Sequence, residues 1–277
     1  MGLDNHRNDD WKPYLYKTTD YGKSWTTIAT NLPVTGPITA LCEDPQNPNL
    51  LFVGTEFGLY VSMDGGKNWK KFMSGMPAVP VYELLIHPRD RDLLVATHGR
   101  SLWIADDITA LEQFAGVGSQ ELVLFDPRPA IQWKNDYADY RSGGRGFRGE
   151  NPQGGTAISV YSKSDLGSGK VEFLQNGQVV STMDVRVDAG MNRFQWNMQK
   201  PAPAAAGGRG GRGGGGGGRG RGGAGGVPFV SEGRGNGGGA GSGLVEPGGY
   251  VVRLTVGGTT RETSVVVLED AWMQSPR

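Results

Sequence analysis

Thr18-Thr19-Asp20-Tyr21-Gly22-Lys23-Ser24-Trp25 returns as Ser62-Met63-Asp64-Gly65-Gly66-Lys67-Asn68-Trp69, and both copies read Ser/Thr-x-Asp-x-Gly-x-x-Trp. Each copy follows an aromatic-bearing, β-prone run (Tyr14-Leu15-Tyr16, then Leu59-Tyr60-Val61) and precedes a second short strand. The pattern describes a hairpin turn in which every fixed position has a structural use. The Asp carboxylate and the Ser/Thr hydroxyl accept backbone N–H groups across the turn. Gly22 and Gly66 take the positive φ that closes it. The Trp folds back as a large apolar plug whose single N–H needs an acceptor.

Around these turns the repeat is longer. Ile38 to Pro45, Asn49 to Thr55 and Gly58 to Ser62 form one unit; Val81 to Pro88, Asp92 to Thr97 and Ser101 to Ala105 form the next. Pro45 then matches Pro88, and Thr55 matches Thr97. A period of roughly forty residues with three or four short strands per unit predicts a β-propeller blade. Leu51-Phe52-Val53 and Leu93-Leu94-Val95 are apolar without alternation, as in strands covered on both faces. Residues 1 to about 34 supply the end of one blade, 35–80 a full one and 81–112 most of a third. A closed propeller takes about 4 to 8 blades. Residues 1–112 are therefore expected to be an incomplete propeller of under three blades. Its open edges call for the remaining blades of a parent chain, or for other copies.

Lysine plus arginine and aspartate plus glutamate number 28 each, so global charge gives no argument for nucleic acid or a membrane surface. No apolar run approaches the roughly 20 residues of a membrane-spanning helix. The polar start, Met1 to Asp10, is not a signal peptide. His6 stands where myristoylation needs Ser or Thr. The single Cys42 excludes an internal disulfide.

The second half changes character. Thr156 to Tyr161, Lys170 to Gln175, Val179 to Val185, Asn192 to Trp196, Tyr250 to Val256 and Thr260 to Leu268 are short and β-prone. Asn176-Gly177 and Gly257-Gly258 mark two-residue hairpins. Six or more antiparallel strands predict an immunoglobulin-like β-sandwich over 151–277, reached through a connector at 113–150. Residues 201–243 are dominated by Gly, with Arg209, Arg212, Arg219, Arg221 and Arg234. Such a tract cannot bury enough apolar surface to offset chain entropy, so a disordered loop is expected. An RGG-type RNA-binding segment would use the same arginines. Only Phe229 offers an aromatic ring and no folded RNA-binding module accompanies it, so nucleic acid is not the expected partner.

Glycoside hydrolysis needs two carboxylates about 5 to 10 Å apart across a cleft. Asp20 and Asp64 are engaged in their turns. Asp106 and Asp107 are neighbours, so in a strand they point to opposite faces. A sialidase-like site would add an arginine cluster and a tyrosine nucleophile from several blades, and Arg100 is one candidate. Thr97-His98-Gly99-Arg100-Ser101 is a tight inter-strand turn. It could line a propeller mouth and bind an anion, or the arginine could bond backbone carbonyls of the turn. Glu56, Tyr82, His98 and Arg100 flank such turns and are the ligand-facing candidates. His6, His87 and His98 lack the spacing of a zinc site, and neither a phosphate loop nor a G-x-S-x-G elbow is present, so no metal and no cofactor are expected.

The turn pattern resembles the Asp-box (BNR) repeat of sialidase-like and sortilin-like (VPS10-like) β-propellers. Thr18, Asp20, Gly22 and Trp25, then Ser62, Asp64, Gly66 and Trp69, fill its positions. Gly190 to Trp196 and Pro247 to Leu254 resemble phrases of the FlgD-like Ig domain found at the ends of secreted bacterial proteins. With Gly54 to Tyr60, Thr97 to Arg100, Trp103-Ile104 and Asp106 to Ile108, the chain resembles the C-terminal part of large secreted bacterial propeller proteins often labelled glycosyl hydrolase. The resemblance implies a secreted or periplasmic protein, with signal peptide and further blades ahead of Met1. The hydrolase label rests on a structural turn. The expected function is therefore a non-catalytic binding or scaffolding module for a protein or glycan. The alternative is part of a glycoside hydrolase whose catalytic residues lie mostly in missing blades.

Overall fold

The computed structural model describes residues 1–72, 75–114, 117–133, 153–200, 231–232 and 243–270. The chain divides into two compact units, Met1–Gln120 and the residues from Glu121 onward. Both are built of β-sheets, and the one α-helix among the described residues is short.

The first unit holds three antiparallel sheets. β1 (Gly2–Asn5), β2 (Asp10–Lys17) and β3 (Thr26–Thr27) form the first. β4 (Ile38–Glu43), β5 (Leu51–Thr55), β6 (Gly58–Ser62) and β7 (Lys70–Lys71) form the second, in chain order. β8 (Val81–Ile86), β9 (Leu93–Thr97) and β10 (Leu102–Ala105) form the third, followed by α1 (Thr109–Phe114).

The sheets stack face to face, which explains why the apolar runs do not alternate. Every residue of β5 and β6 is buried. Leu51, Val53 and Tyr60 join Leu15, Leu32, Ile38 and Trp69 in one apolar cluster between the first and second sheets. On the opposite face of the second sheet, Gly54 meets the third. A Cβ there would lie 2.5 Å from the carbonyl oxygen of Val81, so only glycine permits this approach. Thr39 Oγ1 donates to the same oxygen at 2.5 Å. Gly2 makes the matching contact one sheet earlier, where a Cβ would meet Ile38 Cγ2 at 2.8 Å. In the third sheet Val81, Ile86, Leu93 and Val95 are buried, while Leu85, Leu102 and Ile104 are exposed.

The second unit holds two sheets. One is β11 (Leu122–Leu124), β13 (Thr156–Ser162), β16 (Gly190–Trp196) and β17 (Ser231–Glu232). The other runs β12 (Ala130–Gln132), β19 (Thr259–Glu269), β18 (Gly248–Val256), β14 (Gly167–Gln175), β15 (Gln178–Val187). Alternating burial along β15, β16 and β18 marks strands with one face inward. Their inward residues meet in one core, where Phe173 stacks on Trp196 at 3.9 Å and Tyr250 lies edge-on to Trp196 at 5.6 Å. Asn176 (φ 51°) and Gly177 (φ 76°) form the left-handed pair that the two-residue turn needs.

Two pairings depart from the all-antiparallel arrangement expected of the second half, because β12 runs parallel to β19 and β17 parallel to β16. The stretch read as a connector from 113 is also structured at its start. β11 and β12 are taken up as strands through long-range pairs, Leu122 with Ser162 and Ala130 with Val267. The rest of that stretch, 134–152, and the Gly/Arg-rich tract apart from 231–232 and Gly243 lie outside the described residues.

Candidate functional site

The two repeat turns are built almost identically. Thr18 Oγ1 accepts from Gly22 N at 2.8 Å and donates to Asp20 Oδ1 at 2.8 Å. Asp20 in turn accepts from Ser24 N at 2.9 Å and Ser24 Oγ at 2.6 Å. In the second copy Ser62 Oγ accepts from Gly66 N at 2.9 Å, and Asp64 accepts from Asn68 N at 2.9 Å and Asn68 Nδ2 at 2.6 Å. Gly22 (φ 87°) and Gly66 (φ 90°) are left-handed.

The bonds from Ser24 and Thr18 hold the Asp20 carboxyl down at about 2. For Asp64 burial works upward, but the bonds from Asn68 and Ser62 outweigh it and the net shift is down. Both groups are thus ionised and fully engaged, which suits a turn and not an acid catalyst. Asp64→Ala should cost about 0.5–1.5 kcal/mol in chemical denaturation, because the Ser62 hydroxyl and the Asn68 N–H both lose their acceptor. Asp20→Ala, in the more exposed copy, should cost less.

The turns joining β5 to β6 and β9 to β10 lie at the opposite strand ends from the repeat turns. The structure brings two sequence candidates together there: Tyr82 and His98 have ring centroids 5.4 Å apart. His98 N donates to Pro80 O at 2.9 Å, and Gly99 (φ 80°) and Ser101 (φ 62°) make the bend. The turn is held by Thr97 Oγ1 donating to Ser101 O at 2.6 Å, and by Trp103 Nε1 donating to Arg100 O at 3.0 Å. Arg100 thus contributes its own carbonyl, and its exposed side chain is not what closes the turn. Glu56 occupies the β5–β6 turn beside Phe57, whose N donates to Thr55 Oγ1 at 3.2 Å. No contact joins Glu56 or Arg100 to the Tyr82–His98 pair among the described hydrogen bonds, ion pairs and ring contacts. Phe57 is half-exposed over Gly36. Sequence reasoning missed it, although its place beside Glu56 in a two-residue turn was signal enough.

A second feature had no sequence signal. Asp44, Arg91 and Glu112 converge from the loop after β4, the turn between β8 and β9, and α1. Asp44 is sealed from solvent: Oδ1 accepts from Gln46 N at 2.9 Å and Asn47 N at 2.8 Å, while Oδ2 has no hydrogen-bond partner. That oxygen lies 3.6 Å from Arg91 Nη2. Arg91 Nε donates to Glu112 Oε1 at 2.9 Å, and Nη2 contacts the same oxygen. Asn47 Nδ2 donates to Glu112 O at 2.6 Å.

Burial pushes the Glu112 carboxyl up to about 7; Arg91 opposes this and the Asp44 charge adds to it. A carboxyl raised beside a second carboxylate is what general-acid chemistry uses. Here, however, Arg91 and Glu112 side chains are only 12% and 11% exposed and Asp44 not at all, so no substrate reaches the pair. The arrangement is a charged junction between elements. Among the described residues no group of His, Cys, Asp and Glu could hold a metal ion, and no helix is long and apolar enough to cross a membrane.

No family model matches the chain. The chain is 37% identical over 82 residues to a protein of Neosartorya fischeri named "Probable oligoxyloglucan-reducing end-specific xyloglucanase". The match covers 27% of this chain and 10% of that relative, so the chain spans only about a tenth of the relative's length. A partial likeness to a glycoside hydrolase accords with either functional expectation and favours neither.

Proposed function

We propose that the first unit is a run of Asp-box propeller blades that binds a glycan or protein ligand without cleaving it, and that the second unit is an immunoglobulin-like sandwich holding it. One observation carries this reading: the carboxylates of the repeat turns and of the Arg91 junction are engaged, whereas the strand ends opposite the repeat turns leave Phe57, Tyr82 and His98 exposed. Asp20 and Asp64 are held in turns, and Asp44 and Glu112 are enclosed around Arg91. Exposed aromatic rings beside the charged Glu56 and Arg100 suit a ligand with apolar faces and polar edges. An exported location belongs to the same proposal.

The relative's name makes xyloglucan oligosaccharides the first ligands to titrate. Tyr82→Ala and Phe57→Ala should each weaken binding about tenfold or more in calorimetry, with the melting temperature unchanged. Equal binding by both variants would remove this face from the proposal. The second reading, part of a glycoside hydrolase whose catalytic residues lie mostly in missing blades, is equally compatible with the partial likeness to a xyloglucanase.

A further inference from the structure

The two repeat turns are one device in two states of occupancy. Trp69 is 4% exposed and sits in a socket made by the segment that follows the first turn. Its Nε1 donates to Ile28 O at 2.7 Å, its backbone N donates to Asn31 Oδ1 at 2.8 Å, and its carbonyl accepts from Asn31 Nδ2 at 2.9 Å. Gly66 lies flush on Ile28, where a Cβ would meet Cδ1 at 2.8 Å. Trp25, in the same motif, is 45% exposed and its Nε1 turns back to Gly22 O at 3.1 Å.

The sheet around Trp25 continues the open face. Gly2 points at Ile38, so Leu3 points the other way, opposite Tyr14 across the β1–β2 pair, and is exposed. We propose that the face carrying Trp25 and Leu3 docks the tail of another repeat unit of the same kind: a segment with an aliphatic residue three positions, and an asparagine six positions, after its own turn tryptophan. The Trp25–Asn31 segment of this chain is the template, and its Ile28 and Asn31 are already occupied by Trp69. The equivalent tail after Trp69 has Gly75 at the asparagine position and so lacks the carboxamide. A second copy of the chain therefore has no free socket to offer, and the occupant is a further repeat unit. This rests on the blade reading of the first unit, but not on what that unit binds.

The test joins a duplicate of residues 1–50 ahead of Met1 of the full chain and follows oxidative footprinting of Trp25 by mass spectrometry. Occupancy should lower Trp25 labelling about tenfold, the ratio of its exposure to that of Trp69. Asn31→Ala placed in the duplicate alone should restore the labelling. Unchanged labelling of Trp25 in the fusion, or protection that survives that substitution, overturns the proposal. Ligand titration of the same fusion reads the binding function separately.

Discussion

Arg91→Met should destabilise the first unit by about 3–5 kcal/mol in chemical denaturation at neutral pH, the cost typical of stripping one partner from a buried ion pair. Arg91 is the single cation facing Asp44 and Glu112 among their described partners, and its methylene stem is replaced by Met at similar volume. What is lost is charge compensation, with Asp44 Oδ2 already lacking a hydrogen bond. Glu112 adds a pH signature. Its folded carboxyl titrates at about 7, above the ordinary 4.5, so the folded state holds the proton more tightly than the unfolded one. The stability this provides is fully present below about 4.5 and is lost as pH rises through about 7, on the order of 3 kcal/mol in all. Glu112→Gln keeps an oxygen for Arg91 and removes the titration, so denaturation midpoints should become flat across that window. An unchanged slope in the variant would mean another group governs it.

Trp69→Ala should cost about 3–5 kcal/mol, the range for removing a large buried aromatic side chain. It empties the space between the first two sheets and leaves Ile28 O without its indole donor. Trp25→Ala should fall within about 1 kcal/mol, as an exposed substitution does. Parallel thermal and denaturant unfolding of the two variants checks the contrast. Equal losses would show that the turn itself, and not the neighbouring sheet, sets the value of the tryptophan.

That contrast marks the limit of what the sequence tells. The eight-residue motif is local, so its hydrogen bonds and left-handed glycines can be read from residue types alone. The same holds for Asn176-Gly177 and for the unbroken apolar run Leu51-Phe52-Val53. Nothing in the motif separates Trp25 from Trp69, because the difference lies in what stands beside each. Arg91 and Glu112 read singly as solvated charges; only the packing of a loop, a turn and a helix makes them a buried pair with Asp44. β11 and β12 escaped notice for a related reason. Three residues carry too little periodicity, and their strand character comes from partners far away in the chain. Arg100 illustrates a choice that residue type leaves open, since the turn takes up its carbonyl and leaves the guanidinium at the surface.

The most direct test of the binding reading is to incubate the full chain with xyloglucan oligosaccharides and count new reducing ends while binding is followed in the same sample. The expected result is a bound ligand recovered intact, with no reducing ends above the protein-free control. Release of reducing ends in proportion to protein concentration would contradict it and would make the first unit part of a working hydrolase.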